Sequence, residues 1–212
     1  MKIVSLITAR GGSKEIPMKN IVEINNKPLI WYSINASLHS NVHETWVSTD
    51  SEEIKNIALD CKAKVITRPA KISTGTSQSE EALLHFAKNV NFDILVFIQP
   101  TSPFINSDYI NLGLKKMRNY DSVFTVTKEH WLPRWDMNIN PIDWDVSNRP
   151  MRQNKPATYV EAGMFYITTK NNLLSSKLRY SGKIGIIEIP LKDSLQIDSL
   201  DDLLLIKQLI ES

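Results

Sequence analysis

Ile94-Leu95-Val96-Phe97-Ile98-Gln99-Pro100-Thr101-Ser102-Pro103 holds the most apolar run of the chain, followed by the two prolines that stop it. Five consecutive apolar residues read as a strand buried on both faces, which is how a central strand of a parallel sheet reads. Gln99 ends that strand, and in open α/β sheets ligands bind beyond the carboxyl ends of the strands. Its side chain can both donate and accept, which suits a sugar hydroxyl or the edge of a base; it is equally the polar end of a capped strand.

Outward from this strand, the chain alternates strand and helix patterns. Ile3–Ile7 is a short apolar run closed by glycines. Pro28 opens a helix with Leu29, Ile30, Ile34 and Leu38 on one face. Trp46–Ser48 and Lys64–Ile66 read as strands around a helix with Ile54, Ile57 and Ala58 inward. Asp50, at the strand end, is expected to cap that helix beside Ser51. A helix beginning at Ser77 or Ser79 carries Ala82, Leu83, Phe86 and Ala87. Residues 108–117 read as helix and Val123–Val126 as strand. The expected class is α/β, a mostly parallel sheet flanked by helices. The period then breaks: residues 128–157 hold Trp131, Trp135 and Trp144 and four prolines. Met164–Ile167 and Ile184–Ile187 restore strands, and a last helix carries Leu203, Leu204, Ile206 and Leu209. The expected organisation is one domain over 1–212, with 128–157 as an excursion that is either irregular core or a partner surface.

Composition restricts the partners. The 212 residues are 42% hydrophobic and 23% charged, with a net charge of +2, too small to argue for nucleic acid or membrane. No apolar run reaches the roughly 20 residues of a membrane span. Cys61 is the only cysteine, so no intrachain disulfide forms. A cytoplasmic protein is expected. The four histidines show no metal-ligand spacing.

Local charge is more informative. Ala9-Arg10-Gly11-Gly12-Ser13-Lys14-Glu15-Ile16-Pro17-Met18-Lys19-Asn20 follows the first strand directly. Two adjacent glycines let backbone N–H groups approach a phosphate, and Arg10, Lys14 and Lys19 add positive charge. The pattern is neither a P-loop nor G-x-G-x-x-G. The bland alternative is a solvated turn with surface lysines.

This segment resembles the signature loop of the N-acylneuraminate cytidylyltransferases, close to A-R-G-G-S-K-G-I-P-x-K-N. Glu15 stands where that family has glycine. Further matches are Lys27-Pro28-Leu29, Val47-Ser48-Thr49-Asp50, Arg68-Pro69, Gln99-Pro100-Thr101-Ser102-Pro103 and Gly163. The resemblance implies a Rossmann-like nucleotidyltransferase fold and transfer of CMP from CTP to the anomeric hydroxyl of a sialic-acid-like nine-carbon sugar acid, with release of pyrophosphate. It implies Arg10, Lys14 and Lys19 as catalytic cations, and Ala9, Gly11, Gly12, Ser13, Asn20, Arg68, Thr76 and Gln99 around the nucleotide. Gln99, Arg152, Gln153 and Glu161 are implied for the acceptor, Asp198 for Mg²⁺, and a homodimer built on the 128–157 excursion. Two departures stand out. Tyr159-Val160-Glu161-Ala162-Gly163 has Val160 and Ala162 where relatives carry Arg and Asn, and Gln196-Ile197-Asp198 has an amide where they carry a first carboxylate. A family strand would place those two carboxylates on one face. Here Asp198 is either the remaining metal ligand or a helix cap. Legionaminate, pseudaminate and Kdo remain alternative acceptors, and a nucleotide-binding protein without turnover is the alternative class.

Overall fold

The computed structural model describes residues 1–13 and 15–211. In chain order the elements are β1 (Ile3–Thr8), β2 (Glu23–Ile24), β3 (Lys27–Pro28), α1 (Leu29–Leu38), β4 (Glu44–Thr49), α2 (Glu52–Asp60), β5 (Lys64–Thr67), α3 (Ser79–Asn89), β6 (Ile94–Ile98), α4 (Ser107–Lys116), β7 (Ser122–Glu129), β8 (Arg134–Trp135), β9 (Pro141–Ile142), β10 (Thr158–Thr169), α5 (Lys170–Ser176), β11 (Ile184–Glu188) and α6 (Leu200–Glu211).

Seven strands form one sheet in the order β11-β7-β10-β6-β1-β4-β5. The run Ile94–Ile98 is its middle strand and all five residues are buried. β6 pairs in parallel with β1, β1 with β4, and β4 with β5. On the other side β10 runs antiparallel to both β6 and β7, while β11 is parallel to β7. The sheet is therefore mostly parallel, as expected, with one reversed strand that periodicity does not reveal.

Helices cover both faces. Ile30 and Ile34 of α1, Ile54 and Ala58 of α2 and Ile110 of α4 share one core with Ile7, Val47, Ile98 and Phe165. Leu83 and Phe86 of α3 and Leu173 of α5 pack on the other face with Leu6, Leu95, Phe97 and Tyr166. Gly113 lets α4 lie close to the sheet, since a Cβ there would come within 2.7 Å of Ile167 Cδ1. A third cluster joins Ile16 of the N-terminal loop to Ile197, Leu203 and Ile206.

Local signals explain most boundaries. The Ser51 hydroxyl accepts from Ile54 N at 3.3 Å, and Glu52 and Glu53 complement the positive end of α2. Asn106 caps α4 through Tyr109 N at 2.9 Å. Ser199 and Asp202 exchange hydrogen bonds across the first turn of α6.

Some expectations fail. Ser51 caps α2 as expected, but Asp50 does not share in that cap. Leu38, Leu204 and Leu209 are 43%, 62% and 45% exposed, so they lie off the buried faces of their helices. Helix α3 begins at Ser79, one of the two expected starts, and Gln78 is its cap. Residues 195–198 belong to no sheet strand; Ile197 N donates to Thr101 O at 2.9 Å. Helix α5 and the first half of β10 carry no strong periodic signature in the sequence. The 128–157 stretch holds the β8–β9 hairpin and two 3-10 turns.

The pairing of β10 with β7 shifts register between Glu161 and Tyr166. Gly163 lies in that interval with φ +65°, and a Cβ there would meet Gln196 Nε2 and approach Gln99 Oε1 to 2.8 Å. Gly163→Ala is therefore expected to lower stability by roughly 1–2 kcal/mol through the left-handed backbone alone. Urea unfolding checks this; an unchanged midpoint would show that the position tolerates a side chain.

Candidate active site

The carboxyl ends of β1, β5 and β6 open onto a cavity of about 280 Å³. Thr8, Arg10, Ser13, Lys19, Asn20 and Arg68 line it on one side, and Ser77, Gln78, Ser79, Gln99, Pro100 and Thr101 on the other. Three cations on its wall and the N-terminus of α3 at its rim make it suited to an anion. The sequence pointed to Arg10, Ser13, Lys19, Asn20, Arg68 and Gln99. It missed Thr8, Ser77, Gln78, Ser79 and Thr101. Thr8 ends the first strand and the other four flank a helix start and a strand end, so their positions in the sheet were the available clue.

Each cation is held differently. Arg10 donates to Thr74 O. Arg68 is 7% exposed and donates from Nε to Ser48 Oγ at 3.1 Å and from Nη2 to Ser48 O at 2.7 Å. Burial lowers its pKa to about 10, with Asp50 opposing the fall and Arg10 adding to it; the guanidinium stays charged at neutral pH. Lys19 Nζ reaches Asp198 Oδ1 at 3.0 Å. Lys14 lies outside the described residues.

Internal hydrogen bonds tie the loop down. The buried Asn20 side chain donates from Nδ2 to Arg10 O at 2.9 Å. Gly11 N donates to Asp50 Oδ1 at 3.0 Å, so this amide is engaged by a carboxylate and Asp50 has a role other than the expected cap. Ser13 N bonds back to Gly11 O at 3.1 Å. Glu15, the departure from the family loop, is exposed.

Other positions fall off the cavity wall. Ala9 is fully buried and its N–H goes to Ser48 O at 3.0 Å, a core position. Gly12 is exposed and does not line the cavity. Thr76 is exposed and contacts Thr74 Oγ1 at 3.3 Å, leaving Ser77 as the hydroxyl on the wall.

A second cavity, about 660 Å³, lies beside the first. Arg152, Glu161, Gln196 and Asp198 are on its lining, whereas Gln153 is exposed and meets Met151 Sδ at 3.6 Å. The two cavities share a partition. Lys19 lines the first and Asp198 the second, and the 3.0 Å ion pair crosses between them. Gln196 adds a parallel link: it donates to Ala162 O and its Oε1 accepts from Thr101 Oγ1 at 3.3 Å. Asp198 does not cap α6, because Ser199 and Asp202 already do. No group of three or more His, Cys, Asp or Glu residues that could hold a metal occurs among the described residues.

Glu161 is held by two phenols: Tyr166 Oη donates to Oε2 at 2.9 Å and Tyr180 Oη to Oε1 at 3.0 Å. Burial first, and then the carboxylate, raise the Tyr166 pKa to about 12. Beside them Arg179 forks onto Glu80 at 2.6 and 3.0 Å and lies over the rings of Phe97 and Tyr166. Burial pushes Glu80 upward, but its bonds with Arg179 outweigh that and leave the pKa lowered.

A cationic cavity at the carboxyl edge of a mostly parallel sheet defines an anion-binding α/β protein. Residues 4–192 match the family model described as cytidylyltransferase, and the chain belongs to that family. It is 36% identical over 204 residues to N-acylneuraminate cytidylyltransferase B of Danio rerio, covering 92% of this chain and 48% of that protein. The chain thus spans about half the length of that relative. It is 29% identical over 218 residues to pseudaminic acid cytidylyltransferase of Campylobacter jejuni, covering 96% and 94%. A CMP:2-keto-3-deoxy-manno-octonic acid synthetase solved with CTP shares the fold, with a TM-score of 0.76, 18% identity, and coverage of 100% of this chain and 99% of that one.

Two outcomes follow from this geometry. Asp50→Ala is expected to speed hydrogen exchange at the Gly11 amide roughly 5- to 10-fold, a hydrogen bond's net worth, and Asp50→Asn to retain most of the protection. Equal exchange in both variants would show that the carboxylate does not hold the loop. For Glu80 the folded pKa is depressed, so its contribution to stability is full above the ordinary glutamate range and disappears as pH falls through the folded value. Removing its cation in Arg179→Met leaves burial to raise that pKa, so the pH dependence in this range should reverse sign. Denaturant midpoints of both proteins against pH measure this.

Proposed function

We propose that the protein transfers CMP from CTP to the anomeric hydroxyl of a sialic-acid-like nine-carbon 2-keto sugar acid, releasing pyrophosphate. The observation that carries this reading is the pair of adjoining cavities divided by Lys19, Asp198, Thr101 and Gln196. The smaller, cationic one suits a nucleoside triphosphate. The larger, with Arg152 on its lining, suits an acceptor carrying a carboxylate, which Arg binds as a fork. The names of the relatives support cytidylyl transfer to a sugar acid.

In this reading Arg10, Lys14 and Lys19 neutralise the phosphates, Ser13 and the amides near Gly11 and Gly12 contact them, and Arg68, Gln99 and the Ser77–Ser79 turn lie around the nucleoside. The anomeric oxygen attacks the α-phosphorus, the new P–O bond forms, and the α–β anhydride bond breaks. The acceptor's hydroxyl proton passes to solvent. Catalysis consists of placement and charge neutralisation.

Mg²⁺ belongs to the proposal. A lone, 70% exposed carboxylate at Asp198 fits a hard cation that takes one protein oxygen and fills its remaining positions with phosphate oxygens and water. When bound, the ion supplies further neutralisation of the phosphates. Lys19 has to leave Asp198 for both groups to serve the nucleotide.

A homodimer is part of the same reading. Trp135 is 45% exposed, Met137 99% and Ile139 77% along the β8–β9 hairpin, an apolar surface of the kind interfaces use. A cytoplasmic setting is also proposed; the lone Cys61 requires no oxidising compartment. Among the described residues no helix is long and apolar enough to cross a membrane.

The decisive experiment is pyrophosphate release from CTP and Mg²⁺ with a panel of sugar acids. Release with a nine-carbon 2-keto acid is expected; CTP binding without release from any acceptor would overturn the proposal. Arg10→Ala and Lys14→Ala should each reduce kcat by about 100-fold, the scale for losing one transition-state charge partner. Near-normal turnover in either variant would remove that residue from the phosphate site.

A further inference from the structure

The first turn of α3 is gripped from a distant part of the chain. Ser77, Gln78 and Ser79 lie on the lining of the smaller, cationic cavity. Short-range bonds steady this turn: Gln78 N donates to Glu81 Oε2 at 3.0 Å, Thr74 N donates to Ser77 Oγ at 3.1 Å, and Arg10 donates to Thr74 O. The long-range hold is on Glu80, the residue after Ser79. Arg179, 99 positions further on, donates from Nε to Glu80 Oε1 at 2.6 Å and from Nη2 to Oε2 at 3.0 Å. The two side chains are only 22% and 16% exposed, and neither lines the cavity.

Arg179 is itself seated on the sheet. Its guanidinium lies over the rings of Phe97 at 5.5 Å and Tyr166 at 5.1 Å, which face each other across β6 and β10. Ser181, two residues on, donates from N to Ser122 Oγ at 3.1 Å, and its carbonyl accepts from that hydroxyl at 2.8 Å. The cation is thus fixed to the sheet and the carboxylate to the helix. A desolvated ion pair adds little stability over well-packed apolar side chains, whereas its two-point fork adds orientation. We propose that Arg179 is a positioning residue for the nucleotide: through Glu80 it sets where the Ser77–Ser79 turn stands at the cavity wall. This rests on the cytidylyltransferase reading above and adds to its site a residue from the segment between α5 and β11.

The test removes the fork while holding the net charge of the pair at zero. Arg179→Lys keeps a cation without the two-point geometry. A double variant, Glu80→Met with Arg179→Met, replaces both groups by apolar chains, a change that buried ion pairs tolerate. Binding of CTP and of CMP is measured by calorimetry with no acceptor present, and steady-state turnover and Tm are followed alongside. The expected result is a Kd for both nucleotides raised about 5- to 10-fold in each variant, the scale of a hydrogen bond's net worth. KM for CTP should rise with it while kcat stays unchanged, because the turn binds ground state and transition state alike. An unchanged Kd in both folded variants overturns the inference and leaves nucleotide binding intact, as does a loss confined to kcat or Tm. A Kd that rises for CTP but not for CMP assigns the effect to phosphate charge and also overturns it. Failure of the wild-type protein to bind CTP refutes the nucleotide reading itself, and the positioning role with it.

Discussion

One reversed strand organises the top of this molecule. β10 pairs antiparallel with β6 and with β7, so its first residues lie where the parallel strands have their carboxyl ends. Gln99 directly follows β6, and its N–H donates to Met164 O at 3.1 Å. Residues 160–163 are thereby brought beside Gln99 and, through Gln196, to Thr101 in the loop that follows β6. Had β10 run parallel to its neighbours, its start would lie at the opposite edge and the two cavities could not adjoin. The left-handed Gly163 makes the contact close enough for Gln196 to pack against the strand.

The charges in the smaller cavity are arranged for an incoming anion but are not left idle. Arg10 is bound to Thr74, Arg68 to Ser48 and Lys19 to Asp198. Asp50 occupies an amide of the glycine pair. These contacts cost little to exchange at the exposed positions, since exposed ion pairs are typically worth no more than about 1 kcal/mol. The buried Arg68 is different. Its guanidinium is desolvated and fixed by two bonds to one residue, so it contributes a permanent charge to the floor, whereas Lys19 is able to move.

Features set by short-range chemistry were legible in the sequence. The apolar run Ile94–Ile98, the glycine pair after β1 and the serine before Glu52-Glu53 each carry their cause within a few residues. Strand direction does not: the direction of β10 follows from how the chain returns after residues 128–157, a tertiary property. The same limit explains Leu38 and Leu204, whose helical spacing fits a buried stripe but whose exposure is decided by what packs opposite. It also explains Asp50. A carboxylate beside a helix start suggests a cap, yet Ser51 is placed to take that role and Asp50 is free to reach Gly11, 39 positions away. Of the proposed site residues, those on the loop after β1 were found by charge, while Ser77–Ser79 were passed over because a polar helix start looks the same whether or not a cavity lies above it.

The amide at position 196 shows how one substitution ties the two cavities together. Gln196 donates to the carbonyl of Ala162 and accepts from the hydroxyl of Thr101. A carboxylate can accept from a hydroxyl but, when ionised, has no proton to give a carbonyl. Placed in this geometry it would face Ala162 O oxygen to oxygen, a repulsive contact that leaves the carbonyl unsatisfied. The amide therefore acts as a strut between β10 and the end of β6, and the neighbouring carboxylate, Asp198, pairs with Lys19 at 3.0 Å across the partition. Structural support between the two strands and the carboxylate that pairs with Lys19 are here carried by two different side chains, Gln196 and Asp198.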